Sequence, residues 1–145
     1  MNLFSWFSKT PQKIGFEDVQ WAIKQPAQYM IINTIVETDQ EHLIYGTLTI
    51  SEETEKINQC IQNQEFTQYT IILYGRNSTD DSTLAKYKQL TGIGFSNVAI
   101  YAGGMFEWLL LQDVYGFHEF PTTKRILDIL KFKPGRTFNV PRIGF

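Results

Sequence analysis

Cysteine is nearly absent from this chain. Cys60 stands alone among 145 residues, so no disulfide can form within the chain, which suits a reducing compartment. The two histidines, His42 and His118, are distant from it and from each other, and no usual zinc-ligand spacing exists. Charge is also scarce: Asp, Glu, Lys and Arg make up 19% of residues and the net charge is −2, so the total gives no support to nucleic-acid binding. Long hydrophobic runs are missing. The opening "MNLFSWFSKT" has no basic stretch ahead of its apolar residues and does not read as a secretory signal. "WLLL" at 108–111 is far shorter than a bilayer span. "GRNSTDDS" lacks the terminal Gly-Lys-Ser/Thr of a phosphate-binding loop, and Gly92, Gly94, Gly103 and Gly104 form no dinucleotide fingerprint. The expectation is a cytoplasmic protein with no metal, no cofactor, no nucleic-acid partner and no membrane insertion.

Apolar and aromatic residues are plentiful, at 43% and 14%. A chain of this length is most simply one domain and buries roughly 70% of its unfolded surface, enough for a core without staples. Residues 1–112 hold 7 Lys/Arg against 12 Asp/Glu, whereas residues 113–145 hold 6 against 3. The carboxy-terminal part is therefore basic, either simply solvated or facing an acidic partner or a membrane face. Phe4, Trp6 and Phe7 are read as packing on the domain, as disordered, or as touching a partner or a membrane surface.

Periodicity places the elements. "GFEDVQWAIKQP" puts Phe16, Val19 and Ile23 at helical spacing, stopped by Pro26. "YMIIN" (29–33) reads as a buried strand and "GTLTIS" (46–51) as a second. Ser51 with Glu52 and Glu53 reads as a helix start running to about Gln62. "YTIILY" (69–74) is the clearest central strand. Asp80 or Asp81 caps the next helix, whose inner face holds Leu84, Tyr87 and Leu90. "NVAIYAGG" (97–104) is the next strand. "MFEWLLLQDVYG" follows as a helix apolar almost all round and so buried. A last helix is expected in "FPTTKRILDILKFKPG", with Ile126, Ile129 and Leu130 inward. The domain is drawn as residues 14–132, with extensions 1–13 and 133–145. Helices alternating with short Ile- and Val-rich strands predict an α/β sandwich on a mainly parallel sheet of about five strands. In such sheets the functional crevice lies beyond the carboxyl ends of the strands.

That rule selects the loop Gly75, Arg76, Asn77, Ser78, Thr79, Asp80, Asp81 and Ser82. A strand–turn–helix junction aims backbone N–H groups at one point and suits an anion, with Arg76 adding a cation. Asp80 and Asp81 would repel that anion, and helix capping or a plain turn explains the same residues. Ser78 and Thr79 would need an adjacent base to act as nucleophiles. Cys60 reads as an inert, semi-buried thiol on another helix. Glu107 is either a functional carboxylate or a helix-start residue paired with the dipole. Outside the loop, Tyr115, Phe117 and Phe120, with Phe138 and Phe145 in the tail, are either tucked under their own segments or offered to a partner.

"VAIYAGGMFEWLLLQ" resembles the strand–Gly-Gly–helix segment near the end of rhodanese-like domains. "YAGGMFEWLLLQDVYGFHEFPTT" is similar to a subgroup found in protists and large DNA viruses. "YMIINT", "LIYGTLTI" and "IILYGRNSTDDS" fit earlier family segments in order, so the resemblance covers about residues 14–131. It implies a rhodanese-like three-layer sandwich and, in active members, a cysteine that opens the loop and carries a persulfide or phosphocysteine. Gly75 stands at that position. Asn33, Ile35 and Leu43 stand where the resemblance places Asp, Arg and His. The resemblance therefore implies a catalytically inactive domain acting as a protein-interaction or regulatory module, with an unidentified protein partner or a homodimer through the termini. The alternatives are sulfurtransferase or phosphatase activity through a rebuilt loop, and a small-oxyanion sensor.

Overall fold

The computed structural model describes residues 10–138. Four strands form one parallel sheet in the order β1-β4-β3-β2: β1 Gln12–Ile14, β2 Tyr29–Asn33, β3 Thr70–Tyr74 and β4 Val98–Tyr101. The runs of β2, β3 and β4 are apolar without alternation because helices cover both faces of the sheet. Helices α1 (Phe16–Ile23) and α4 (Gly104–Tyr115) pack on one face with Ile31, Ile72 and Tyr74. Helices α2 (Ile50–Gln62) and α3 (Asp81–Ile93) pack on the other with Met30, Ile32, Ile71 and Leu73. The result is the expected three-layer α/β sandwich, with four strands among the described residues rather than about five.

The missing strand is "GTLTIS". Gly46 takes a left-handed turn at φ +89°, and Thr49 already caps α2 in a reciprocal pair with Glu52. Only Thr47 and Leu48 remain to pair, and they give a single parallel bridge, Ile31 to Thr47, and one bond from Leu48 N to Ile31 O. The helix therefore starts at Ile50, not Ser51; the capping box Thr-x-x-Glu marks the true start. Order begins earlier than Ile14, because Gln12 to Ile14 pair with Ala99 to Tyr101.

Three further expectations are corrected. Leu84 is exposed, and Thr83 joins Tyr87 and Leu90 on the buried face of α3. Helix α4 fully buries Gly104, Met105, Trp108 and Leu109, and its last turn leaves Val114 and Tyr115 in solvent. The final helix does not form. Pro121 and Thr123 bond across to Tyr45 and Leu43, with Thr122 set opposite Ile44, so the segment runs as turns, with Leu130 half exposed. Ile126 still packs on the core. Among the described residues no helix is long and apolar enough to cross a membrane. Phe4, Trp6, Phe7 and Phe145 lie outside the described residues.

Candidate functional site

The loop 75–82 leaves the carboxyl end of β3, the strand at the middle of the sheet, and ends at the start of α3. Its backbone is gripped from several sides. Gly75 and Arg76 carbonyls accept from the Met105 and Phe106 N–H groups at 3.0 and 2.9 Å, so two of the free amino-terminal donors of α4 are spent on the loop. That approach requires Gly104. It sits at φ +65°, and a Cβ there would come within 2.7 Å of the Gly75 carbonyl oxygen.

The start of α3 is also filled. Asp80 caps it, accepting from Ser82 N at 3.0 Å and from the Ser82 hydroxyl at 2.6 Å. Its other oxygen accepts from Arg76 N at 2.9 Å. Burial pushes the Asp80 carboxyl pKa up, but these hydrogen bonds and the Arg76 charge outweigh it and hold the group below the usual carboxylate range. Such a carboxylate is a poor proton acceptor for the Ser82 hydroxyl beside it. The Thr79 hydroxyl donates to Asn77 Oδ1 at 2.7 Å. Among the described residues no hydrogen bond joins His42 or His118 to this loop; His118 instead lines a hollow with Lys24.

Gly75 itself has no room for a side chain. A Cβ built there would lie 2.5 Å from both Asp80 Oδ2 and Thr83 Oγ1. The Thr83, Thr34 and Ser82 hydroxyls form a chain, at 3.1 and 2.9 Å, that runs to the end of β2. A small hollow of about 250 Å³ beside the loop is lined by Lys13, Ser78, Asp80, Asp81 and Tyr101 among others, so carboxylates outnumber the single cation.

The carboxy-terminal segment closes the other side, and nothing in the sequence pattern marked it. Phe132 is fully buried in the core of the α1–α4 face. Its carbonyl accepts from Asn77 Nδ2 at 2.8 Å, and the Lys131 carbonyl accepts from Arg76 Nη2 at 3.2 Å. The Arg76 guanidinium lies 4.9 Å from the Phe132 ring and pairs with Asp39 at 2.7 Å. Arg76, expected as a cation for a ligand, is thus engaged by its own chain on three sides. The positions marked by the resemblance follow the same pattern. Ile35 and Leu43 are buried in the cluster that contains Phe132, and Asn33 turns its side-chain oxygen back to Ile35 N at 3.0 Å.

The remaining sequence candidates are dispersed. Cys60 is buried on the opposite face of the sheet, and burial pushes its thiol pKa up, which leaves it inert. Glu107, in the first turn of α4, accepts from the Tyr101 hydroxyl at 2.8 Å. Phe120 is core rather than surface, its ring 5.0 Å from Trp108 and 5.4 Å from Phe16. Phe117 is covered by the Arg125 guanidinium at 4.5 Å. Tyr115 and Phe138 are exposed. Among the described residues no group of His, Cys, Asp and Glu is placed to hold a metal ion.

The comparisons agree with this architecture. The solution structure of the rhodanese-like domain of the Anabaena Alr3790 protein matches with a TM-score of 0.54 at 19% identity, covering 94% of each chain. A crystal structure of the Alr3790 protein gives 0.54 at 20% identity, over 79% of this chain and 94% of that one. The Saccharomyces cerevisiae single-domain sulfurtransferase RDL2 gives 0.51 at 14% identity, over 74% and 96%. No curated protein matches. The rhodanese-like domain model matches residues 18–111, more than half of the sequence. On the fold, and on that match across β2, β3, β4 and the loop between them, the chain belongs to the rhodanese-like domain family.

Proposed function

We propose that this chain is a catalytically inactive member of the family that works as a protein-interaction or regulatory module. One observation carries the reading: the loop opens on Gly75, and the space its side chain would need is held by the Asp80 carboxylate and the Thr83 hydroxyl. Sulfur transfer requires a low-pKa nucleophile at the pocket, held among N–H donors, that can be attacked and regenerated. Here Arg76 N and Ser82 N already donate to Asp80, and Met105 N and Phe106 N to the carbonyls of Gly75 and Arg76. Ser78, Thr79 and Ser82 carry hydroxyls without a competent base. The activity named for the yeast neighbour is therefore not carried over. Those four bonded donors, with the Asp80 and Asp81 carboxylates lining the hollow beside the loop, count against an oxyanion sensor. The likeness of residues 101–123 to the protist and large-virus subgroup and a cytoplasmic setting for the single buried thiol belong to the same reading.

The test is turnover. Thiosulfate:cyanide sulfur transfer and aryl-phosphate hydrolysis, measured at enzyme concentrations high enough to see weak rates, are expected to stay at background. A rate that disappears in Ser78→Ala, Thr79→Ala or Ser82→Ala would overturn the proposal. Pairing of copies through the termini is a separate part of it. Light scattering of the chain with and without those ends reads it, and a mass equal to one chain in every case removes it.

A further inference from the structure

A groove of about 550 Å³ runs between α1 and α4, on the face away from α2 and α3. Its apolar lining is Phe16, Leu111, Tyr115 and Phe120. The floor is fixed: Phe120 is clamped between the rings of Phe16 and Trp108, and Gln20 Nε2 on α1 donates to the Glu119 carbonyl at 2.8 Å. Such a preformed apolar hollow falls within the size range of ligand and peptide pockets. Tyr115 remains 65% exposed at its edge and Val114, beside it, 71%. An aromatic side chain uncovered next to a rigid apolar floor is the composition of an interface anchor.

The charge on the groove selects the partner. Its ionisable lining groups are Glu17 and Glu119, and neither lysine nor arginine lines it. Asp18 adds a second carboxylate to the first turn of α1, and Asp113 lies exposed on the last turns of α4. A neutral apolar segment laid there would take water from carboxylates without pairing them, and an acidic one would be repelled. We infer that the α1–α4 groove docks a short partner segment with an apolar centre flanked by lysine or arginine. This rests on the interaction reading above and gives it a surface and a partner chemistry.

Fluorescence anisotropy on the full chain tests the inference. The probes are three labelled twelve-residue peptides that share a Leu, Phe and Leu centre and carry paired Lys, Ser or Glu at both ends. The Lys-flanked peptide is expected to bind about tenfold more tightly than the Ser-flanked one, with the Glu-flanked one weakest. Salt at about three Debye-length halvings above the starting buffer should erase most of that spread. Tyr115→Ala, at an exposed position, should weaken binding about tenfold, and the Glu17→Lys, Glu119→Lys double variant should invert the flank preference. Absence of binding, equal binding of the three peptides, or binding that survives both variants would overturn the inference. A dimer dissolved by Tyr115→Ala would make a second copy the occupant and overturn it as stated. Missing peptide binding in a chain that also lacks sulfur transfer sinks the groove alone. A sulfur-transfer rate sinks the broader reading, whatever the peptides do.

Discussion

The two ends of α4 sit in opposite surroundings. At its amino end, Gly104 presses against the Gly75–Asn77 backbone, and the next two N–H groups are bonded to loop carbonyls. Around that contact Asp80, Arg76, Asn77 and Phe132 bond to one another or to their neighbours, and the hollow of about 250 Å³ beside them holds more carboxylates than cations. At its carboxy end, Leu111 and Tyr115 border an open groove whose carboxylates have no cation lining the same hollow. Within one twelve-residue helix, the end where this fold's topology puts a crevice is closed, and the end away from it is open. The difference teaches that position in a fold names where chemistry is possible, whereas the bonding state of the groups there decides whether anything can bind.

Removing the plug strikes that contrast hardest. Phe132 is fully buried, so Phe132→Ala is expected to destabilise the fold by about 3–5 kcal/mol in urea denaturation, through lost burial and a cavity. Tyr115→Ala, at the open end, should change stability by under about 1 kcal/mol. Equal costs at the two positions would mean that the carboxy-terminal segment is not part of the closed end.

Restoring a side chain at the head of the loop is the next largest change. Gly75→Cys forces a Cβ to within 2.5 Å of Asp80 and Thr83 oxygens, and overpacking of that kind costs about 1–3 kcal/mol. Replacing Asp80 by Ala in the same chain removes one of the two clashes and should recover part of the loss. Thermal unfolding of the single and double variants reads this as a positive coupling. Additive losses would show that the carboxylate is not what fills the site.

The layered α/β class, the strands near 29–33, 69–74 and 97–104, and a cap at Asp80 or Asp81 were legible because each rests on a local pattern: an apolar run, or an acidic residue ahead of a helix. β1 was not, since "QKI" carries no alternation and becomes a strand only by pairing with β4. The last expected helix failed for the related reason that Thr122 and Thr123 found partners in residues 43–45, about eighty positions back. The loop's location could be read from strand–turn–helix order. Its closure could not, because the groups that close it, Asp39 and residues 131–132, lie 37 and 55 positions from their partners Arg76 and Asn77. Likewise, the acidic groove joins α1 to a segment about a hundred residues away, which no window of sequence displays.

Acid offers the mildest way to loosen the closed end. The Asp80 carboxyl has a folded pKa below the ordinary value near 3.9, so the folded state binds its proton less readily than the unfolded chain. Its stabilisation is therefore complete above about pH 5. It falls away as the pH drops through the unfolded value and then through the depressed folded one. Because Asp80 is partly exposed, solvent screening keeps the whole effect under about 1 kcal/mol. Asp80→Asn retains an oxygen that can cap α3 but loses the charge beside Arg76, so it should lower Tm slightly at pH 7, by a gap that shrinks as the pH falls below about 4. The groove variant Tyr115→Ala leaves this carboxylate untouched and should run parallel to the parent across the same range. A pH-independent gap for Asp80→Asn would mean that the charge contributes nothing and that the closure rests on neutral hydrogen bonds and Phe132 alone.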